Sequence, residues 1–344
     1  MSKAVTMKTI AAHAGVTQAT VSMSLANNPR IPVTTRERIQ AIAEKLGYRP
    51  NPYLSTLMRI RRKGRPLTDR PVLALVNCMA QPDAWRTTTA LTIRQMREGG
   101  LERAVERGYR AQEFWLLQDG MSNDRFSEML YARGIQGLIL SPLADGAPPP
   151  MLKWQYFASV SLSVPLPAST INTVCNDHYF SALQVVRECY RLGYRRPGLI
   201  IRRIHRDRFH GRWDAGFQVA RHLLPRISLA QPLLVDDWTD FSALPAWLKK
   251  QRPDVIVSPG AEPLHAALQR MGWRIPEDIG LAGLACSELG HPVSGVYQNG
   301  RLIGATAVDT LISMLERNER GLPEQAVTQM LEGVWNAGRT LRPI

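Results

Sequence analysis

Thr17-Gln18-Ala19-Thr20-Val21-Ser22-Met23 sets two threonines, a glutamine and a serine around one valine. Hydroxyls and an amide at the start of a helix, beside its free N–H groups, suit contacts to phosphate oxygens and base edges. Catalytic patterns are missing from the chain. It has no Gly-rich phosphate loop, no G-x-S-x-G elbow and no H-E-x-x-H pair. Its seven histidines are scattered, and His205-x-Asp207 with His210 reads as surface loop near a cleft rather than as a metal site. Cys78, Cys175, Cys189 and Cys286 form no C-x-x-C pair and read as small residues of a reducing compartment. The expectation is a binding protein, not an enzyme, with neither cofactor nor metal.

The elements that would position the first group are three helices. Thr6 can cap a helix over about 7–14, with Ile10, Ala11 and Ala14 on its inner face. Gly15 suits the left-handed stop, Val16 plugs the turn, and Thr17 caps a second helix from Gln18 to about Leu25. Val21 and Leu25 point inward, which leaves Gln18, Ala19, Thr20, Ser22 and Met23 around the outside. Thr34-Thr35-Arg36-Glu37 has the pattern of a capping box for a third helix, closed by Gly47. Three such helices also fit a small bundle that binds no DNA.

Residues 6–58 resemble the LacI family of bacterial transcription regulators. The resemblance rests on Thr9-Ile10-Ala11, Ala14-Gly15-Val16-Thr17, Thr20-Val21-Ser22, Thr35-Arg36-Glu37-Arg38-Ile39 and Leu46-Gly47-Tyr48-Arg49-Pro50-Asn51. It implies that Thr6, Thr17, Thr20, Ser22 and Asn27 lie against DNA and that Gln18, Ala19 and Met23 face bases. Many members carry Arg where this chain has Met23. Met cannot make Arg's bidentate contact to guanine but can touch a thymine methyl, so a different operator is expected.

Residues 50–58 resemble the family's hinge helix. By that resemblance Pro50, Asn51, Leu54, Leu57 and Met58 belong to the DNA interface, and Leu57 wedges into the minor groove at the operator centre. Leu54-Ser55 departs from the small-then-polar pair usual there. A plain linker is the alternative. The basic run Arg59 to Arg65 follows, placed to touch phosphate.

Charge agrees with this. Residues 1–65 hold twelve Lys/Arg against Glu37 and Glu44, so ten of the fourteen net positive charges sit on the first fifth of 344 residues. Such a footprint suggests a polyanion partner. No apolar run reaches the ~18 residues of a membrane span. The first residues lack the apolar stretch of a signal peptide, so a cytoplasmic, nucleoid-associated protein is expected.

After Pro66 strands and helices alternate. Strands are predicted at 71–76, 111–116, 137–140, 156–163, 198–201, 233–235, 254–257 and 279–283. Helices are predicted at 90–107, 122–133, 178–192, 212–224, 242–251, 263–271 and 302–317. That order predicts parallel sheets wound by helices, with ligands at strand carboxyl ends. Two lobes are expected, the second beginning near Ser163, with a late recrossing.

This half resembles the family's periplasmic-binding-protein-like domain through Leu192-Gly193-Tyr194-Arg195-Arg196-Pro197, through Ile275-Pro276-Glu277-Asp278-Ile279-Gly280-Leu281-Ala282-Gly283, and through Gln298 before Gly304-Ala305. The whole chain is thus expected to be an all-α helix-turn-helix head (1–49), a hinge and basic linker (50–70) and a two-lobed α/β domain for effector binding and dimerisation (71–344). The resemblance implies an effector site from Ser141, Asp177, Arg212, Trp213, Trp238, Ser258, Ala285 and Gln298. The family's Arg before the Gly-aromatic pair is displaced here to Arg212, with Trp213 in its place, and its Asp is Ala285. For Trp213 and Trp238 core packing and ligand stacking both remain open. The implied activity is that of a homodimeric regulator, a repressor, on double-stranded operator DNA, controlled by a sugar-like small molecule. The alternative is a small-molecule binder or enzyme with a vestigial head.

Overall fold

A computed structural model describes residues 6–25, 30–46, 48, 70–163 and 171–344. The chain divides into two units, one of residues 1–71 with 313–319 and one of 72–312 with 320–344.

In the first unit α1 (Met7–Ala14), α2 (Gln18–Leu25) and α3 (Val33–Lys45) enclose Ile10, Ala11, Ala14, Val21, Ile39 and Ala43, with Val16, Leu25, Ile42 and Leu46 packed beside them. Local chemistry starts and stops these helices. Thr6 accepts from the Thr9 N–H at 3.3 Å while the Thr9 hydroxyl accepts from the Thr6 N–H, a reciprocal cap. Gly15 ends α1 at φ +66, where a Cβ would be strained. The expected box at Thr34 does not form. Helix α3 begins two residues earlier, at Val33, with Pro32 as its cap and no side-chain bond. Proline already holds the φ that a helix start needs, and its carbonyl accepts from Arg36 N–H at 2.9 Å. Gly47, expected to close α3, lies outside the described residues.

The second unit is two sheets of six strands. The first has the order β11-β5-β4-β3-β1-β2 and the second β12-β10-β9-β8-β6-β7. Strands β1 (Val72–Asn77), β2 (Arg110–Trp115), β3 (Gly137–Leu140), β4 (Ala158–Leu162), β5 (Asn172–Asn176) and β11 (Thr328–Leu331) pair in parallel. Strands β6 (Pro197–Arg202), β7 (Leu233–Val235), β8 (Val255–Ser258), β9 (Gly280–Cys286) and β10 (Ser294–Tyr297) do likewise, and β12 (Val334–Asn336) closes that sheet antiparallel.

Alternation along each strand feeds both faces of the second sheet. Leu199, Ile201, Val255 and Val257 join one core, and Ile200, Ile256 and Leu281 join the other. Helices α7 (His178–Arg191) and α9 (Arg212–Leu223) cover the first of these faces, and α10 (Leu244–Gln251) and α11 (Ala261–Arg270) the second. In the first lobe α5 (Leu91–Glu106) lies backbone to backbone on the start of α12 (Gly300–Glu316). A Cβ on Gly99 or Gly304 would overlap the carbonyl of Arg301 or Met96.

The second lobe does not begin near Ser163. β5 still pairs with β4, and the chain crosses at Asn176-Asp177, ahead of α7. It crosses again between β10 and α12 and a third time at Glu332-Gly333, between β11 and β12. Two of the crossings are stitched together. Leu331 O accepts from Asp177 N–H at 2.8 Å and from Asn176 Nδ2 at 3.0 Å. Gly333 has no room for a Cβ beside Val296, the first sign of how tightly the third crossing lies against β10.

Candidate nucleic-acid interface and ligand cleft

In the head, α2 turns Val21 inward and leaves Thr17, Gln18 and Ala19 exposed, with Thr20, Ser22 and Met23 half-buried. Thr17 caps the helix by accepting from Thr20 N–H at 3.2 Å, and its hydroxyl lies 2.9 Å from that of Thr20. The two hydroxyls are thus held side by side at the amino end of α2, next to the first-turn N–H groups. None of the outward residues of α2 is charged, so nothing on this face repels or over-binds a phosphate. Arg38 donates to Ala14 O at 3.2 Å and Gln40 to Ser24 O at 3.1 Å, which ties α3 to the ends of α1 and α2 and fixes the angle between them. Thr6 is spent on its cap. Asn27, Pro50, Asn51, Leu54, Leu57 and Met58 lie outside the described residues.

In the body six of the eight expected cleft residues fall near strand carboxyl ends and Arg212 and Trp213 open α9 (Arg212–Leu223), yet they do different work. Ser141 is fully buried, and its hydroxyl accepts from Cys78 N–H at 2.9 Å and donates to Pro142 O. Ser258 is equally buried and accepts from Gly260 N–H. Gln298 donates to Leu284 O at 3.0 Å. Asp177 caps α7 through Phe180 N–H at 2.9 Å. These four hold loops in shape. Ala285 is half-buried on β9.

Arg212, Trp213 and Trp238 do come together, in company that the sequence reading left out. His178 stacks on Phe209 with centroids 4.3 Å apart, and Trp213 meets both edge-on at 4.8 and 4.6 Å. His205 lies 6.2 to 6.3 Å from Trp213 and Trp238, and the Trp238 ring lies flat against Gly260, which has no space for a Cβ. Trp213 is core, and its ring also borders this cluster. His205 is not the surface loop residue expected. It sits half-buried on α8 (Arg203–Arg208) among the rings. One local signal pointed to it: His205, Phe209 and Trp213 recur every four residues.

The two lobes touch across this cleft. Asp145, in the loop after β3, receives Arg208 at 2.8 Å and Arg202 at 3.2 Å. Gln95 donates to Ser287 O at 2.8 Å. A groove of about 650 Å³ beside Leu248, Pro253 and Trp273 lies instead at the amino end of β8, away from the strand ends where ligands collect.

Burial drives the pKa of His178 down to about 3, with the Arg212 charge adding to the effect. Burial, then Arg202, drives His205 down to about 4. Both rings are neutral at neutral pH. Unfolded histidine takes up a proton near pH 6.5, and the folded rings do not until far lower pH. Stability is therefore lost as pH falls through the window between 6.5 and the folded values, by about 2 kcal/mol at pH 5 for His178. Comparing melting at pH 7.5 and 5.0, His178→Asn should lose about that much less than the parent on acidification. Identical losses would refute the assignment.

Among the described residues no helix is long and apolar enough to cross a membrane, and no three His, Cys, Asp or Glu are grouped to hold a metal.

Residues 6–51 match the model of the bacterial regulatory proteins, lacI family, and residues 186–334 match a periplasmic binding protein-like domain. Together the two span more than half of the chain. The HTH-type transcriptional repressor CytR of Escherichia coli (strain K12) is 25% identical over 341 residues, covering 92% of each chain. In fold the chain is similar to a transcriptional regulator CelR–cellobiose complex, with TM-score 0.60, 20% identity and coverage of 98% and 99%. It is also similar to the lac repressor dimer bound to operator and the anti-inducer ONPF, with TM-score 0.54, 19% identity and the same coverage. Those relatives are regulators and not enzymes. A capped helix-turn-helix ahead of two wound sheets, matched along nearly its whole length to a repressor, gives this chain a lacI-family DNA-binding head joined to a periplasmic binding protein-like body.

Proposed function

We propose that the protein is a repressor of the cytoplasm, bound to the nucleoid, that recognises a near-palindromic operator as a homodimer. Residues 1–49 read DNA, 50–70 form the hinge and basic linker, and 71–344 bind the effector and dimerise. Thr17, Thr20 and Ser22 engage phosphate, Gln18, Ala19 and Met23 face bases, and Met23 favours a thymine methyl over guanine. A small molecule in the cleft, a carbohydrate or a derivative of one, changes lobe closure and so couples two distant sites. The observation that carries this reading is the uncharged, exposed amino end of α2 held by Thr17 and Gly15.

A gel shift on the DNA upstream of the protein's own gene tests it. Binding should prefer one site by at least a thousandfold at physiological salt. Salt-sensitive binding with no preference among sites would sink the reading, because phosphate contacts alone produce that. The hinge adds a second expectation. Leu57→Ala should weaken operator binding by about tenfold or more and leave non-specific binding nearly unchanged, since only the bent operator receives the wedge. Equal losses on both DNAs refute the wedge role.

A further inference from the structure

Of the five arginines from Arg202 to Arg212, Arg203 pairs with Asp236 and Arg206 with Asp214. Arg202 and Arg208 share one carboxylate, that of Asp145, and both guanidiniums are largely covered. Arg212 forms no ion pair among the described residues. Its contacts are two sulfurs, Cys175 Sγ at 3.8 Å and Met330 Sδ at 3.5 Å, both weak acceptors for a charged donor. A half-buried cation of this kind gains most from a carboxylate, which accepts two parallel bonds from the guanidinium fork.

A second observation is independent of charge. Among the described residues Trp213 Nε1 is enclosed and has no hydrogen-bond partner, and Trp213 is only 3% exposed. His205 Nδ1 is likewise unpartnered. Buried polar atoms nearly always find a partner, so two orphans in one ring cluster mark a place where a partner is supplied from outside. The rings around them offer flat apolar faces.

The geometry points to a ring-shaped carboxylate as the effector. Its carboxylate pairs with Arg212, its ring face lies against the half-buried rings of His205, Phe209 and Trp238, and its ring substituents meet the two orphaned nitrogens. This inference rests on the effector-cleft reading and names the charge of the ligand. Sugar acids and aromatic acids share this chemistry, and the test separates them.

The full-length protein is melted with glucuronate, with 4-hydroxybenzoate, and with their neutral counterparts glucose and 4-hydroxybenzyl alcohol. The same four compounds are then added to the operator gel shift. One of the two acids should raise the melting temperature and move operator binding, and its neutral counterpart should bind at least tenfold more weakly. Arg212→Gln should cost the acid at least tenfold and the neutral compound less than twofold. Should the Gln variant fold poorly, Arg212→Lys, which keeps the charge but not the fork, should bind the acid at an intermediate level. The acid that works identifies the source. Neutral compounds binding as well as the acids, equal losses in Arg212→Gln, or no binding by either acid overturns the charge assignment. A compound that raises the melting temperature without moving operator binding overturns the effector reading instead.

Discussion

Val21→Asp should abolish operator recognition. Val21 is fully buried among Ile10, Ile39 and Ala43, the innermost side chains of the head. Burying an unpaired carboxylate there costs several kcal/mol, either as desolvated charge or as the cost of taking up a proton. Three short helices have little stability to spare, because a domain this small buries only a modest apolar area. The head should unfold, and with it go the Thr17–Thr20 arrangement and the α2 surface. Operator affinity should fall by about a thousandfold or more, to the level that the remaining basic residues give any DNA. Among the described residues the head core is built from residues 7–48 and the body cores from residues 72–341, so a thermal scan should keep the body's transition. A variant that still prefers the operator over scrambled DNA at equal salt would show that α2 does not do the reading.

The second large effect lies at Gly216. Helices α7 and α9 approach so closely there that a Cβ would overlap the Tyr179 carbonyl, a backbone atom that no rotamer change can clear. Gly216→Val must therefore push α9 away from α7. Both helices supply the buried face that holds Val185, Val186, Trp213 and Phe217. Overpacking of this kind costs about 3 kcal/mol or more, which for a body of this size is roughly 10 °C in melting temperature. The displacement reaches the cleft as well, since His178 opens α7 and Trp213 belongs to the first turn of α9. Ligand binding should weaken beyond what the lower stability accounts for. A Gly216→Val protein that melts within about 2 °C of the parent would contradict the close approach.

What could be read ahead of the structure followed the range of the interactions involved. Thr6, Gly15 and Thr17 act within three or four residues, so their roles in starting and stopping helices were visible in the chain. Thr34 looked equally local, yet Pro32, which needs no side-chain bond, starts the helix two residues sooner. Strands β5, β10, β11 and β12 escaped notice because they are three to five residues long and mixed in polarity, as in Asn172-Thr173-Val174-Cys175-Asn176. Their pairing partners fix them, and those partners are distant in sequence. For β11 the partner is β5, some 155 residues away, as the Asn176–Leu331 bond records. The misplaced start of the second lobe followed from missing β5.

The cleft divided along the same line. Arg212, Trp213 and Trp238 came from matching positions to a family pattern. His178 did not, since it meets Trp213 only because α7 and α9 pack at Gly216. The spacing from His205 to Phe209 to Trp213 was legible as a period of four. It spans two helices with Gly211 at φ +64 between them, so the period marked a shared side of the cleft and not one helical face.

Residues 328–336 supply the outer strand of one sheet and then, two residues later, the outer strand of the other. No single cut divides the body into its lobes, because each lobe owns chain from both sides of α12. A ribosome moving along this chain completes α1 to α3 well before either sheet. Both sheets then wait, edges open, for the same nine residues. The reader of DNA is therefore assembled while the sensor that governs it is still two unfinished sheets, and the two become a regulator only when that last ribbon is laid into both.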